Sequence, residues 1–120
     1  MWSASVDPAR ALLQLAYAKR VDSTEVAACA KRACELLAEL SPGFTLLTDL
    51  SGLEQMELDC EPLIGLMMDE FNRHGIRKVV RVVPEPRTDI GFGIMSLFHY
   101  GEEVQMVTCQ SLLEAQQELP

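Results

Sequence analysis

Two histidines are the residues of this sequence best suited to proton transfer, because imidazole titrates near neutral pH. His99 lies in the run Phe98-His99-Tyr100 and could act as a general acid or base. No Ser or Cys stands at a spacing that would identify it as a nucleophile paired with His99. A hydrolase-like activity would need such a nucleophile. His74 is predicted at the end of a helix, where a positive charge complements the helix dipole. A structural role is favoured for both histidines, and the chain is predicted not to be an enzyme.

Four cysteines could bind metal or react as thiolates, but their spacing supports neither role. They stand at scattered positions with no Cys-x-x-Cys pair: Cys29, Cys34, Cys60 and Cys109. In a reducing compartment such residues are predicted to act as small buried apolar side chains. The sequence also contains no Gly-rich phosphate loop and no carboxylates spaced as in a calcium loop. We therefore predict no cofactor and no metal.

Acidic residues cluster around the predicted starts of the second and third helices. They are Glu54, Glu57, Asp59, Glu61 and Asp89, with Arg87 as the nearby base. In an open α/β sheet a binding crevice lies beyond the carboxyl ends of the strands, where this group is predicted to lie. The negative charge opposes a phosphate ligand. Two interpretations stay open: the carboxylates complement helix dipoles, or Glu57, Asp59 and Glu61 dock a basic patch of another protein.

Length and composition restrict the classes of protein further. A chain of 120 residues with 48% hydrophobic and 23% charged residues is predicted to fold as one globular domain, residues 1–120. Its net charge of −8 repels phosphate backbones and anionic lipid, so nucleic acid is not an expected partner. The apolar run Leu63–Met68 is far shorter than the roughly 20 residues of a membrane span. The first residues show no secretory signal, which predicts a cytoplasmic protein.

Hydrophobic periodicity predicts a hairpin followed by alternating strands and helices. Strands are predicted at Trp2–Val6, Ala11–Ala18, Phe44–Leu50, Ile76–Val83 and Val104–Cys109, with a loop at Ser51–Glu57. Four helices are predicted, from an Asp22 cap to Leu40, from an Asp59 cap to His74, from Thr88 or Asp89 to about Tyr100, and from Ser111 to about Leu119. This order predicts an α/β fold with a mixed, mostly parallel five-stranded sheet.

The fourth strand is predicted to be the central one, because its branched apolar residues are nearly continuous. Arg81 interrupts this strand and needs a partner, since an unpaired interior charge is costly. Asp49, on the neighbouring strand, is the predicted partner.

The third helix is the predicted interaction surface. Its large apolar residues point in too many directions for one buried stripe: Phe92, Ile94, Met95, Leu97, Phe98 and Tyr100. Gly91 and Gly93 weaken a helix interior, so a close approach by another surface is expected to compensate. We predict that Phe92, Ile94, Met95, Phe98 and Tyr100 contact a partner protein or a second copy. Burial of the whole helix within the domain stays open as the alternative.

Three segments together resemble the STAS domain, the fold of anti-sigma factor antagonists and of the cytoplasmic tails of sulfate transporters. They are the hairpin Trp2–Tyr17, the stretch Leu47-Thr48-Asp49-Leu50-Ser51-Gly52-Leu53, and Phe98-His99-Tyr100-Gly101. The sequence is also similar to a STAS-like group of uncharacterised bacterial proteins. The resemblance implies a layered α/β fold and a regulatory role in binding other proteins.

The antagonists that this chain resembles carry a phosphorylatable Ser at the start of the second long helix. Leu58, Asp59 or Cys60 stands at that place here, so the resemblance implies no phosphoacceptor. The leading hypothesis is a non-enzymatic protein-interaction module with a partner of unknown identity, and a homodimer is left open. The alternative is a domain that binds a small apolar ligand or lipid.

Overall fold

A computed structural model describes residues 1–85 and 95–120 of the chain. Five strands form one sheet in sequential order: β1 (Trp2–Asp7), β2 (Leu12–Val21), β3 (Thr45–Met56), β4 (Lys78–Val82) and β5 (Gln105–Cys109). The helices are α1 (Ser23–Leu36), α2 (Glu61–Arg73), α3, of which residues 95–99 are described, and α4 (Leu112–Gln116). Strands β1 and β2 are antiparallel, and every other neighbouring pair is parallel. The predicted mixed α/β fold is confirmed.

The local signals at the hairpin and at α1 act as predicted. Pro8–Arg10 form a 3₁₀ turn between β1 and β2, and Ala11 closes it in the left-handed conformation at φ 49°. The Asp22 side chain accepts a hydrogen bond of 2.9 Å from the Glu25 N–H, which satisfies a free donor of the first turn of α1. These contacts direct the chain from β2 across one face of the sheet.

The two faces of the sheet carry separate apolar clusters. Helices α1 and α2 cover the face that holds the larger cluster, with Tyr17, Phe44 and Phe71 among its fully buried members. The opposite face carries a smaller cluster that includes Leu47, Val82 and Ala115 of α4. Because side chains alternate along a strand, residues 46 and 48 of β3 face α2, whereas residues 47 and 49 face α4.

The predictions for the third and fourth strands were wrong in extent and position. Strand β3 continues to Met56, through residues 51–56 of the predicted loop Ser51–Glu57, because it stays paired with β2 across two register shifts. It is also the middle strand of the five, whereas β4 has only β5 beyond it. The hairpin adds two strands on one side of β3, a placement that residue patterns inside one strand do not encode.

The predicted pair of Asp49 with Arg81 is wrong. Arg81 lies beside Thr48 in the β3–β4 register, and Asp49 lies beside Val82. The alternation of side chains therefore puts the two charged groups on opposite faces of the sheet. Asp49 instead accepts hydrogen bonds from the backbone N–H and hydroxyl of Ser51, at 2.9 and 2.6 Å.

Candidate interaction surface

The described part of α3 is attached to the domain by polar contacts on its inner side. Arg81 is 4% exposed, and its Nη2 donates to the Ser96 hydroxyl at 2.7 Å. The imidazole Nδ1 of His99 lies 2.7 Å from Oδ1 of Asp69 on α2, so Nδ1–H is the donor to that carboxylate. These contacts join α3 to β4 below it and to α2 beside it.

The residues that follow α3 extend the same junction along α2. The N–H of Gly101 donates to the Asn72 Oδ1 at 3.0 Å. A Cβ on Gly65 would lie 2.8 Å from Nε2 of His99, so the imidazole rests directly on the α2 backbone. Residues 65, 69 and 72 share one face of α2 at the spacing of successive helical turns, and this face forms the seat of His99 and Gly101.

The outer side of α3 exposes large apolar side chains. Leu97 and Phe98 are each 81% exposed, although both are large apolar residues. On α2, Leu66 is 61% exposed and directly follows Gly65, on which His99 rests. Because Ser96 and His99 are held from the inside, Leu97 and Phe98 between them are directed towards solvent. We call these two side chains the α3 patch.

The residues predicted for the interaction surface of the third helix have four different outcomes. Phe98 is exposed as expected, and Met95 is half-buried. Tyr100 was wrongly assigned to the surface, since it is only 9% exposed and lies just beyond the last helical residue, where it lines the interior. Phe92 and Ile94 lie outside the described residues, as do Gly91 and Gly93.

The carboxylates predicted to form an acidic rim are exposed at the start of α2. Glu57, Asp59 and Glu61 lie on and around a 3₁₀ turn, Leu58–Cys60, that leads into the helix. Asp59 does not cap α2, which has no side-chain cap, because this turn separates Asp59 from the first helical residue. Glu61 precedes Gly65 by four residues, or about 6 Å along the axis, so Glu61 lies about one helical turn from the seat of His99 and Gly101.

The residues that the resemblance placed at the antagonists' phosphoacceptor position lie on the same 3₁₀ turn. Leu58 and Asp59 are exposed, and neither carries a hydroxyl. Cys60 is fully buried, and its Sγ–H donates to the Val21 carbonyl oxygen over 3.8 Å. Burial raises the pKa of the Cys60 thiol, and the negative charges of Asp59, Glu57 and Asp22 raise it further. Cys60 is therefore a neutral, structural thiol.

A small cavity lies between the sheet and α2, beneath Tyr100. Its polar lining consists of Tyr17, Thr48, Arg81 and Tyr100, and the rest of its described lining is apolar. The Tyr17 hydroxyl makes no hydrogen bond within the described residues, and burial, followed by the nearby Cys29 thiol, raises its pKa. The cavity volume is about 20 Å³, room for roughly one water molecule. Pockets for small organic ligands usually enclose roughly 300 Å³ or more.

His74 has a structural position at the carboxyl end of α2. Its Nε2 lies 2.7 Å from the Leu40 carbonyl oxygen, so Nε2–H is the donor. Its ring meets the Phe44 ring edge-on at 5.7 Å. Among residues 1–85 and 95–120, no group of three or more His, Cys, Asp or Glu side chains is arranged to bind a metal. No helix in those ranges has the length and apolar character needed to span a bilayer.

Comparison with solved structures identifies the fold. The chain matches an uncharacterised protein of the DUF3478 family with a SpoIIAA-like fold from Shewanella loihica PV-4, with a TM-score of 0.77 and 10% identity over 99% of this chain and 94% of that one. It also matches the anti-sigma factor antagonist SpoIIAA in its unphosphorylated form, with a TM-score of 0.65 and 14% identity over 98% and 96% of the two chains.

A third match is the Bacillus cell fate determinant SpoIIAA in the phosphorylated form, with a TM-score of 0.63 and 14% identity over 98% of this chain and 99% of that one. No protein-family model matches the sequence, and no curated protein matches it significantly. The fold is therefore the SpoIIAA-like, or STAS, fold, as the sequence resemblance implied.

The sequence patterns missed several residues of this site. No role was predicted from the sequence for Gly65, Asp69 or Asn72. The spacing of four and three residues between a glycine, an aspartate and an asparagine indicates that they share one face of the helix, but it does not identify the residues that contact this face. The partner residues His99 and Gly101 are about 30 positions later in the chain.

Proposed function

We propose that this chain is a non-enzymatic protein-interaction module that binds its partner through the α3 patch. The observation that carries the proposal is the exposure of Leu97 and Phe98 on a helix whose inner side is fixed by hydrogen bonds. Anchoring fixes the backbone that carries these two side chains, so less conformational freedom of the backbone is lost on binding. Exposed large apolar groups on a rigid support are typical of the energetic centre of an interface.

Charge around the α3 patch indicates the kind of partner. Glu102 and Glu103 are exposed just after α3, and Glu57, Asp59 and Glu61 are exposed at the start of α2. The whole chain carries a net charge of −8. A partner with an apolar groove bordered by Lys or Arg complements such a surface, because opposite charge speeds association and fixes orientation. A cytoplasmic setting is supported by four free cysteines, three of them buried.

Control of this binding differs, in our proposal, from a phosphorylation switch at the start of α2. One of the matched SpoIIAA structures is described as phosphorylated and another as unphosphorylated. Leu58, Asp59 and Cys60 offer no hydroxyl in the corresponding turn. Asp59 is itself an acidic residue in this turn, so the surface keeps its acidic character without modification.

Binding of a small apolar ligand or lipid is the second candidate function. The apolar lining of the cavity beneath Tyr100 favours it. The cavity volume counts against it, since it has room for about one water molecule. Native mass spectrometry of the purified protein distinguishes the two candidates, because a retained apolar ligand would add a defined mass.

A comparative binding experiment tests the main proposal. The paired change Leu97→Glu with Phe98→Glu places two charges on the α3 patch, while Leu113→Glu changes a residue that is 79% exposed on α4, on the other face of the sheet. We expect proteins captured from native lysate by the wild type to be retained by the Leu113 variant and lost from the paired variant. Thermal unfolding of all three proteins checks that each is folded. Equal capture by the folded variants would refute the α3 patch as the binding site.

A further inference from the structure

The outer edge of β1 offers a row of backbone groups that nothing in the described chain pairs with. Strand β1 is the first of the five strands in the sheet and has a neighbour only in β2. The Met1 nitrogen donates to the Ala18 carbonyl oxygen, and the Ala18 N–H donates to the Met1 carbonyl oxygen. In an antiparallel pair such doubly bonded positions alternate, so Ser3 and Ser5 also bond to β2. The N–H and C=O groups of Trp2, Ala4 and Val6 therefore point outwards.

This edge lacks the features that normally prevent strand pairing. Natural proteins protect exposed edges with charged residues, proline or bulges. The run from Trp2 to Val6 contains none of the charged residue types and no proline, and its pairing with β2 has no register shift. In a chain with a net charge of −8, the uncharged side chains of this strand add no like-charge repulsion against a second copy.

We propose that β1 pairs with β1 of a second copy of this chain, antiparallel about a two-fold axis at Ala4. In this register Ala4 faces Ala4 of the second copy, and Trp2 faces Val6 of the second copy. These are the positions whose N–H and C=O groups point outwards, so every outward group between residues 2 and 6 finds a partner. The two five-stranded sheets become one continuous sheet.

The side chains in this register are compatible on both faces. Trp2 meets Val6 of the second copy on the face packed by α1, where both are partly buried, and aromatic residues pair favourably with β-branched ones across strands. On the other face Ser3 meets Ser5 of the second copy, and both are exposed. A second copy is favoured over an unrelated peptide because β1 contains both members of each facing pair, Trp2 with Val6 and Ser3 with Ser5.

The proposed dimer leaves the α3 patch free. Helix α3 is joined to β4 and α2, and β4 is separated from β1 by β2 and β3, which is roughly 14 Å across the sheet. A dimer therefore presents two α3 patches. This inference does not depend on the proposed function, because it rests on β1 alone.

Charge placement at Ser3 and Ser5 tests the register. In the proposed dimer, position 3 of each copy faces position 5 of the other copy. The paired change Ser3→Lys with Ser5→Lys therefore puts two positive charges opposite each other at both of these symmetric contacts. The matched pair Ser3→Glu with Ser5→Lys puts opposite charges at the same places. Both pairs change only exposed side chains, so the monomer is expected to fold in each case.

Sedimentation velocity over a range of concentrations supplies the measurement. We expect the wild type and the Glu/Lys variant to dimerise, and the Lys/Lys variant to dimerise roughly tenfold more weakly or worse. Amide exchange should show the Trp2, Ala4 and Val6 amides protected only in the proteins that dimerise. A monomeric wild type, or equal dimerisation of the two variants, would overturn the proposal.

Discussion

At the scale of single residues, the candidate site depends on Gly65, which has no side chain. A Cβ on Gly65 would come within 2.8 Å of Nε2 and 2.9 Å of Cε1 of His99. A glycine inside a helix costs roughly 1 kcal/mol relative to alanine, so α2 gives up intrinsic stability at this position. The close approach of the His99 ring, held by its hydrogen bond to Asp69, accounts for the glycine.

The change Gly65→Ala tests this explanation, because its effect should depend on His99. In the wild type we expect the added methyl to displace the imidazole, so that the free energy of unfolding does not rise despite better helix propensity. In a His99→Ala background, Gly65→Ala should raise the free energy of unfolding by roughly 1 kcal/mol. Urea unfolding of the four proteins measures the coupling. Equal effects of Gly65→Ala in both backgrounds would contradict the contact.

At the scale of elements, the described turn of α3 is positioned by its neighbours. Its described turn contributes Ser96 and His99 to the interior side, and each meets a residue from a different element, Arg81 of β4 and Asp69 of α2. One or two helical turns are unstable by themselves in water. Tertiary contacts therefore determine both where the α3 patch lies and which side chains it exposes.

Removal of the Arg81 side chain should loosen this attachment. We expect Arg81→Leu to lower the free energy of unfolding by roughly 1–3 kcal/mol, because the buried Ser96 hydroxyl loses a hydrogen bond from a charged donor. Amide exchange over residues 95–101 should become faster in the same variant. Arg77→Leu, at an exposed arginine, is the control and should change the free energy of unfolding by no more than about 0.5 kcal/mol. A matching loss in the control would show that Arg81 has no special role.

At the scale of the whole molecule, buried thiol and phenol groups make the free energy of unfolding depend on pH in the alkaline range. Burial is the largest cause of the raised pKa of the Cys29 thiol and of the Tyr17 and Tyr100 hydroxyls, although the nearby Arg81 charge opposes the shift at Tyr100. In the unfolded chain, thiols release their protons near pH 8.5 and phenols near pH 10. The folded protein keeps these protons to higher pH. Above those pH values the folded state therefore binds more protons than the unfolded chain does. The free energy of unfolding falls as pH rises for that reason.

We expect the free energy of unfolding to decrease from about pH 8.5 and to decrease more steeply above about pH 10. Each fully buried group contributes at most about 1.4 kcal/mol per pH unit. Urea unfolding measured between pH 7 and 10.5 checks the curve. Tyr17→Phe removes one titrating group, so its curve should be shallower above pH 10, and identical slopes for the two proteins would argue against Tyr17 as a contributor.

The order of elements and most of their boundaries were encoded locally. The Asp22 cap, the Ser111 cap and the positive φ of Gly75 after α2 act through neighbours a few residues away, and apolar periodicity marks which face of α2 is buried. The choice of a mixed sheet follows from a hairpin followed by strand–helix alternation. These are properties of short segments, which is why the sequence alone determined the fold class.

Only the tertiary structure decided how distant segments combine. It placed Asp49 and Arg81 on opposite faces, made β3 the middle strand, buried Tyr100 and left Leu97 and Phe98 exposed. Each outcome depends on contacts between residues far apart in the chain, such as Asp69 with His99. Composition and spacing report the character of a side chain, whereas its neighbours depend on the packing of the whole domain. The α3 patch and the β1 edge could therefore be recognised only after the sheet and helices were assembled.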